Sequence, residues 1–310
     1  MVVDTGRPDA GAPDDPVGAF GIGNVTLVAP GVVAADQQLG PRFADHRGRI
    51  DLPALAVLFD HLGGLPFFRS GPTGSPCVQA RLSIATQGQV SVGDRVTGTA
   101  ELLMHDDGFG TTRVDIVTSA GRLCCSGTAR NVAVGRSFDV NPADIGGEGS
   151  APGGPGAQAV ALPPAIESHL TGREIVEQIA AGARSAGPLT ELLNGRVEVV
   201  DHDNGTGVRF VVTTERWMGN VFGTMHGGVI GAIVAQACSF AGQANASAGR
   251  DYQLADLAAA FLRSPAVDGG DVVVEVVPVK VGRRIASFEA AMRADDGVLL
   301  CRAEADTHYR

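Results

Sequence analysis

Residues 220–228 read Asn-Val-Phe-Gly-Thr-Met-His-Gly-Gly and lead directly into a long apolar stretch. The pattern predicts a glycine-rich turn followed by a helix over residues 227–244. The first N–H groups of a helix have no partner within the helix and lie at the positive end of its dipole. Gly227 and Gly228 therefore place backbone donors where a developing oxyanion would be stabilised. No carboxylate follows on this helix, so any acid must come from elsewhere.

The composition favours a globular protein of a reducing compartment. The 310 residues carry 34 acidic and 24 basic side chains, a net charge of −10, which disfavours broad contact with a nucleic-acid backbone. Lys280 is the only lysine, so the polybasic clusters of membrane-surface segments are absent. The chain start lacks the pattern of a signal peptide, and the five cysteines form no CxxC pair. We expect a cytoplasmic protein with neither nucleic-acid nor membrane partners, and the seven scattered histidines predict no metal site.

Two widely spaced landmarks indicate an internal duplication. Gly93-Asp94 corresponds to Gly270-Asp271 at an offset of 177 positions (270 minus 93). Gly121-Arg-Leu-Cys-Cys corresponds to Gly297-Val-Leu-Leu-Cys at an offset of 176 (297 minus 121). Because the offsets nearly agree, we predict two copies of one domain.

The predicted organisation follows from these landmarks and from the Gly/Pro-rich segments. We expect a flexible tail over residues 1–18, a first domain over 19–140, a linker over 141–164 and a second domain over 165–310. Each copy would consist of a first strand, an apolar helix and four further strands. A helix that is apolar on every face must be surrounded, so the predicted class is α+β, with one curved antiparallel sheet wrapped around each helix. The predicted helices are 52–68 (capped by Asp51), 172–193 and 227–244; the predicted strands are 78–86, 95–104, 111–119, 122–134, 196–201, 208–214, 253–262, 272–281, 284–293 and 298–308.

The glycine turn belongs to a longer pattern. Asn220-x-x-Gly223-x-x-His226-Gly227-Gly228, leading into the central helix, resembles the hotdog-fold acyl-CoA thioesterases of the PaaI-like group. The resemblance covers about residues 195–308, and the first half follows in pattern only. It implies a tandem, or double, hotdog chain whose halves pair as a pseudo-dimer. It also leaves open a homodimer of tandem chains.

The resemblance further implies an acid on the central helix, nine residues after the histidine, that acts against the glycine turn of the partner domain. Position 235 here is Ala. An offset of 175 matches Ala235 to Asp60 in the first half (235 minus 175), and it matches His226, Gly227 and Gly228 to Asp51, Leu52 and Pro53. Pro53 has no N–H to donate. We therefore expect one complete site, with Asp60 facing Asn220, His226 and Gly227, and one defunct site.

The chemistry implied is hydrolysis of an acyl-CoA or acyl-carrier thioester, with coenzyme A as part of the substrate and no cofactor. Asp60 would act as general base on water or as a nucleophile that forms an anhydride, while the Gly227 N–H stabilises the oxyanion. Asn220 would hold the water or the turn, and His226 fixes the turn rather than transferring a proton. The further substrate-binding candidates are Gly228 at the turn, Gln79 and Ser83 beside Asp60, and Arg263, Arg283 and Arg284 toward the phosphates of coenzyme A.

Two other functions fit the same pattern. A degenerate duplication could keep the pocket and lose the reaction, giving a non-catalytic acyl-CoA or acyl-carrier binder, and Ala235 favours this alternative. A hotdog dehydratase or hydratase is less well supported, because the expected histidine loop patterns are missing. Acyl chain length and the choice between coenzyme A and a carrier protein stay open.

Overall fold

The structure is a computed structural model that describes residues 15–70, 76–135 and 160–310. Most of the predicted tail and of the predicted linker, residues 1–14 and 141–159, lie outside the described residues. The helices are α1 (Pro16–Ala19), α2 (Ala56–Phe68), α3 (Gly172–Ala180), α4 (Pro188–Leu192) and α5 (Gly227–Ala244). The strands are β1 (Ile22–Ala29), β2 (Val32–Gln38), β3 (Cys77–Thr86), β4 (Arg95–His105), β5 (Phe109–Thr118), β6 (Leu123–Ala133), β7 (Gly195–His202), β8 (Gly205–Thr213), β9 (Tyr252–Leu254), β10 (Asp256–Phe261), β11 (Asp271–Val281), β12 (Ile285–Ala294) and β13 (Leu299–Tyr309).

The two curved sheets that the sequence predicts, one per copy, are joined edge to edge, so the described strands form one continuous sheet. Its order is β1-β2-β4-β5-β6-β3-β10-β13-β12-β11-β8-β7, with β9 paired to β13. The halves meet where β3 runs antiparallel to β10, with Leu82 opposite Ala259 and Ser83 opposite Ala258. An isolated sheet would leave each of these strands with an unpaired edge. Pairing the two edges satisfies both and joins the halves.

The two central helices lie inside this sheet. A 3-10 turn (Leu52–Leu55) that contains Pro53 precedes α2, and α5 begins at Gly227 as predicted. Composition alone would let α5 cross a membrane, but it is 94% buried within the protein. The helices touch near the start of α5, where a Cβ on Gly228 would lie 2.7 Å from the Cα of Val57. Glycine therefore sets how closely the two halves approach.

Three local predictions were wrong in detail. The predicted helix over residues 172–193 is divided into α3 and α4 because Gly182 and Gly187 take φ of +70° and +91° between them. A hairpin, β1–β2, stands where only one strand was expected in the first half. α1 begins inside the predicted tail, with Asp15 accepting a hydrogen bond from the Gly18 N–H at 2.7 Å.

Candidate active site

A cleft of ≈ 820 Å³ lies between the two halves. The middle of α2 lines it from the first half through Asp60, and the start of α5 lines it from the second through His226 and Gly227. We call it the Asp60 cleft. Asn220 and Gln79 also line it. The structure thus brings together five of the residues selected from the sequence, which come from both copies of the domain.

The Asp60 carboxylate lies directly against the first residue of α5. A Cβ placed on Gly227 would be 2.7 Å from Oδ1 and 3.2 Å from Oδ2 of Asp60. No side chain fits in that space, so glycine is needed for the carboxylate to reach the helix terminus. The Gly227 N–H meets no acceptor among the described residues. Gly228 lies deeper, where a Cβ would be 2.9 Å from the Cβ of Asp60, and it does not line the cleft.

Burial governs the charge of Asp60, which is 5% exposed. Removal from water raises the pKa of its carboxyl to about 7, and the nearby Gly228 N–H, whose hydrogen bond goes to Nδ1 of His226, offsets the effect in part. Oδ1 has no hydrogen-bond partner among the described residues. A carboxyl with a pKa near neutrality and one unused oxygen beside a cleft is suited to accept a proton.

His226 organises the turn, as the sequence predicts. Its Nδ1 accepts a hydrogen bond from the Gly228 N–H at 3.0 Å and caps the start of α5. Burial and the neighbouring His61 lower the pKa of His226 to about 3, so the ring is neutral, with its proton assigned to Nε2. The same Nδ1 lies 3.2 Å from Oδ2 of Asp60. The neutral ring carries no charge that would stabilise the carboxylate, in agreement with the raised pKa of Asp60.

Asn220 holds the turn. Its side-chain oxygen accepts from the N–H groups of Phe222 at 2.9 Å and Thr224 at 3.3 Å. Its amide nitrogen donates to the Met225 carbonyl at 3.4 Å. These bonds close the loop over residues 220–225 and aim Gly227 at the cleft. Of the two roles expected for Asn220, this geometry supports the structural one.

Gln79 and Ser83 are separated by a β-bulge. Gln79 faces the cleft, and its amide donates to the backbone carbonyl of Asp60, while its buried oxygen has no hydrogen-bond partner in the described part of the chain. The pairing of β3 with β6 shifts by one residue between Gln79 and Arg81. A bulge reverses the face on which later side chains emerge. Ser83 is therefore exposed on the outer face, and its predicted contact with substrate near Asp60 is wrong.

The three predicted phosphate-binding arginines do not lie together. Arg263 is exposed, one residue before Ser264 of the cleft lining. Arg283 and Arg284 form the turn between β11 and β12. The start of β11 lies on the cleft side, near Val267, and at about 3.4 Å per residue an 11-residue strand carries its far end roughly 35 Å away. The predicted role of Arg283 and Arg284 at this cleft is therefore wrong.

Sequence reasoning missed several residues of the lining. Asp15, Val17 and Gly18 of the α1 region border the cleft, although Asp15 followed by Pro16 is a recognisable helix start. Cys77 also lines it, but burial, together with Asp60, raises the pKa of its thiol to about 12, so it stays protonated. The Asp15-Pro16 pair could have indicated the first feature, whereas Cys77 belongs to no sequence motif.

A second, smaller cleft of ≈ 390 Å³ occupies the place that the duplication relates to the first. Arg47 and Asp51 line it from the loop before α2, and Tyr252 lines it from the second half. We call it the Arg47 cleft. The guanidinium of Arg47 donates to Asp45 at 2.6 Å and to Asp51 at 3.2 Å, and lies 3.6 Å from the ring centre of Tyr252. This cleft has no counterpart of Asp60, because the related position is Ala235.

Comparisons with known proteins agree with this architecture. Residues 222–301 match the profile of the Thioesterase superfamily. A hotdog-fold protein of unknown function from Alicyclobacillus acidocaldarius superposes with a TM-score of 0.58 at 9% identity, covering 95% of this chain and 97% of that chain. The tesB protein of Mycobacterium avium subs paratuberculosis gives 0.56 at 11% identity, covering 92% and 96%. An acyl-CoA thioesterase II from Mycobacterium marinum gives 0.53 at 12% identity, covering 95% and 97%. A search of curated protein sequences found no match.

These results confirm the predicted fold and the resemblance to hotdog-fold thioesterases. Single chains of similar length share the arrangement over more than nine tenths of this chain. The chain is a tandem of two hotdog domains. At such low identity the likeness of the solved structures establishes the fold and leaves the chemistry to the site itself.

Proposed function

We propose that this chain hydrolyses acyl-CoA thioesters at one composite site, the Asp60 cleft. The observation that carries the proposal is the approach of a buried carboxylate in the first half to the free N-terminal amide of α5 in the second. The match to the Thioesterase superfamily supports a thioester as the substrate class, since it covers α5 and the strands that follow. The acyl-CoA thioesterase II of Mycobacterium marinum has the same architecture.

The site residues supply the three functions that hydrolysis requires. The thioester carbonyl lies over the start of α5, where the Gly227 N–H donates to its oxygen as negative charge develops. Oδ1 of Asp60 accepts a proton from a water that attacks the carbonyl carbon. When the C–S bond breaks, the departing thiolate takes that proton. His226 stays neutral and holds the turn, and no cofactor takes part.

A second route uses the same carboxylate as nucleophile. Oδ1 of Asp60 attacks the carbonyl, the thiolate leaves with a proton from solvent, and water then hydrolyses the mixed anhydride. Single turnover in H₂¹⁸O with enzyme in excess detects the nucleophilic route when water attacks the Asp60 side of the anhydride. Water attack on the Asp60 side of the anhydride leaves ¹⁸O in the Asp60 peptide, which peptide mass spectrometry detects. The general-base route places ¹⁸O only in the acid product.

Thiol release from a panel of acyl-CoAs tests the proposal. We expect release by the wild-type chain and its loss in Asp60→Asn. Asp51→Asn is the matched control, because Asp51 is the buried carboxylate of the Arg47 cleft. Binding of acyl-CoA without thiol release in the wild type would refute hydrolysis and identify the chain as the non-catalytic binder.

A further inference from the structure

The entrance to the Asp60 cleft lies where the two central strands separate. β3 and β10 are paired from Ala85–Asp256 to Arg81–Ala260 and no further. Beyond that point β3 continues along β6 and β10 along β13. Val78 and Gln79 line the cleft on one side of the gap, and Phe261 and Ser264 line it on the other. We call this gap the mouth of the cleft.

Three arginines lie in one row beside the mouth, on the outer face of the sheet. Arg81 is directly opposite Arg130 on β6 and opposite Ala260 on β10. Ala260 is in turn opposite Arg302 on β13. Residues paired in this way emerge on the same face, and all three arginines are exposed. The row crosses four strands and spans about 14 Å, with the small side chain of Ala260 between Arg81 and Arg302.

These arginines lack the partners that other arginines of the sheet have. Arg113 pairs with Glu101 at 2.7 Å and Arg209 with Glu198 at 3.1 Å, both across neighbouring strands. Within residues 15–70, 76–135 and 160–310, no salt bridge or hydrogen bond involves the side chains of the mouth arginines. Like charges directly opposite each other destabilise a sheet. An anionic ligand would remove that repulsion.

The duplication supplies an internal control. At the offset of 175 positions that relates Asp60 to Ala235, Arg81 corresponds to Asp256 (256 minus 81), which lies farther along the sheet toward the Arg47 cleft. The row between them reads Thr128, Ser83, Ala258 and Glu304. It contains no arginine. The next row contains Asp256 and Asp306. Positive charge is therefore concentrated at the mouth of the Asp60 cleft, and negative charge lies toward the Arg47 cleft.

We propose that Arg81, Arg130 and Arg302 bind the phosphate groups of coenzyme A while its thioester arm enters the mouth. This inference rests on the proposed hydrolysis of acyl-CoA at the Asp60 cleft. Guanidinium groups form paired hydrogen bonds with phosphate oxygens. A phosphate-bearing small molecule fits a row of about 14 Å better than an acidic carrier protein would. The net charge of −10 and the adjacent Glu304, Asp256 and Asp306 would repel such a protein.

Calorimetric binding of coenzyme A and of pantetheine tests the proposal without requiring turnover. In Arg81→Gln/Arg302→Gln we expect about tenfold weaker binding of coenzyme A, a modest loss because both side chains are exposed. The matched control is Arg283→Gln/Arg284→Gln, which removes the same charge from exposed positions far from the cleft. Its affinity should stay at the wild-type value. An equal loss in both double variants would reduce the effect to net charge and overturn the inference.

Kinetics separate this inference from the proposed function. The ratio of kcat/KM for an acyl-CoA to that for the matching acyl-pantetheine should fall about tenfold in Arg81→Gln/Arg302→Gln, and added salt should lower the wild-type ratio by screening. An unchanged ratio alongside normal hydrolysis would overturn the arginine site and leave the function standing. If the double variants still differ in coenzyme A binding but the wild type hydrolyses no acyl-CoA, the arginine site stands and the proposed function fails. Selective loss of activity toward an acyl-carrier-protein thioester would assign the row to a protein partner instead.

Discussion

The Asp60 cleft and the Arg47 cleft occupy related positions in the two copies but differ in what faces the central helix. In the first, ≈ 820 Å³ in volume, the helix begins His-Gly-Gly and meets a carboxylate from the other copy. In the second, ≈ 390 Å³, the helix begins Asp-Leu-Pro, and the position related to Asp60 is the buried Ala235. The two related clefts thus share their position in the fold, but only the Asp60 cleft combines a carboxylate with a glycine turn.

The two buried acids show what the difference means energetically. Asp51 is fully partnered: it accepts from the Leu52 N–H at 2.8 Å, from the Leu254 N–H at 3.2 Å and from Arg47. Among the described residues Asp60 has no charged partner within ion-pair distance, because His226 is neutral, and its Oδ1 accepts no hydrogen bond from them. A buried carboxylate without a cationic partner costs stability, and carboxyls with strongly raised pKa values cluster at functional sites. In the Arg47 cleft the buried charges form a satisfied ion network.

Replacing Asp60 by Asn gives the largest expected effect. We expect kcat to fall by at least about 10³-fold, because both proposed routes need an ionised carboxylate. The melting temperature at pH 8 should stay the same or rise, since a desolvated charge is removed. Asp51→Asn should behave in the opposite way, with kcat near wild type and a lower melting temperature. If both variants lose turnover and both also lose the fold, the predicted difference between the two clefts is wrong.

Gly227→Ala should have the second-largest effect on turnover. The added methyl group would lie 2.7 Å from Oδ1 of Asp60 and must push the carboxylate or the helix start aside. A displacement of that order costs about 10² in kcat/KM. Gly231→Ala, on the same helix, is the control, because its Cβ would meet Ala56 and Leu82 at 3.7 Å, an ordinary contact. Equal kcat/KM values for the two variants would show that turnover does not depend on the contact between Asp60 and the start of α5.

The pH dependence comes third. With the pKa of Asp60 raised to about 7 by burial, kcat/KM should rise about tenfold per pH unit up to pH 7 and then level off. The same shift affects stability in the opposite sense. Between the ordinary pKa of 3.8 and about 7 the folded state holds a proton that the unfolded state has lost, so this group makes the protein less stable as pH rises. Thermal melts of wild type and Asp60→Asn from pH 4 to 8 should diverge over that range.

The parts of the molecule that the sequence predicted share one property: their signals are local. α5 begins and ends where its apolar pattern does, and Asp60 followed from one numerical offset between two repeats. Ser83 was misplaced because one inserted residue in β3 reverses the face of the strand, and nothing in the composition reveals a bulge. Arg283 and Arg284 were misplaced because position in the chain does not show which end of a hairpin faces a site.

The arginine row at the mouth illustrates the same limit. Arg81, Arg130 and Arg302 are distant in sequence and become neighbours only through the register of four strands. Their counterparts in the other row carry no arginine, so the duplication pattern could not point to them either. Sites built from cross-strand neighbours need the register, whereas sites at a helix start can be read from a single segment.

The smallest effect on turnover should come from the Arg47 cleft. Arg47→Gln leaves the buried carboxylates of Asp45 and Asp51 without their cation, and breaking a buried pair in this way costs about 3–5 kcal/mol. Arg49→Gln removes a half-exposed guanidinium from the same loop and should cost far less. Denaturant unfolding measures both, and kcat/KM measured below the transition should change little in either. A large loss of turnover in folded Arg47→Gln would mean that the second cleft still contributes to the reaction. Stability lost with turnover intact is the result expected if one copy supports the fold and the two together form a single site.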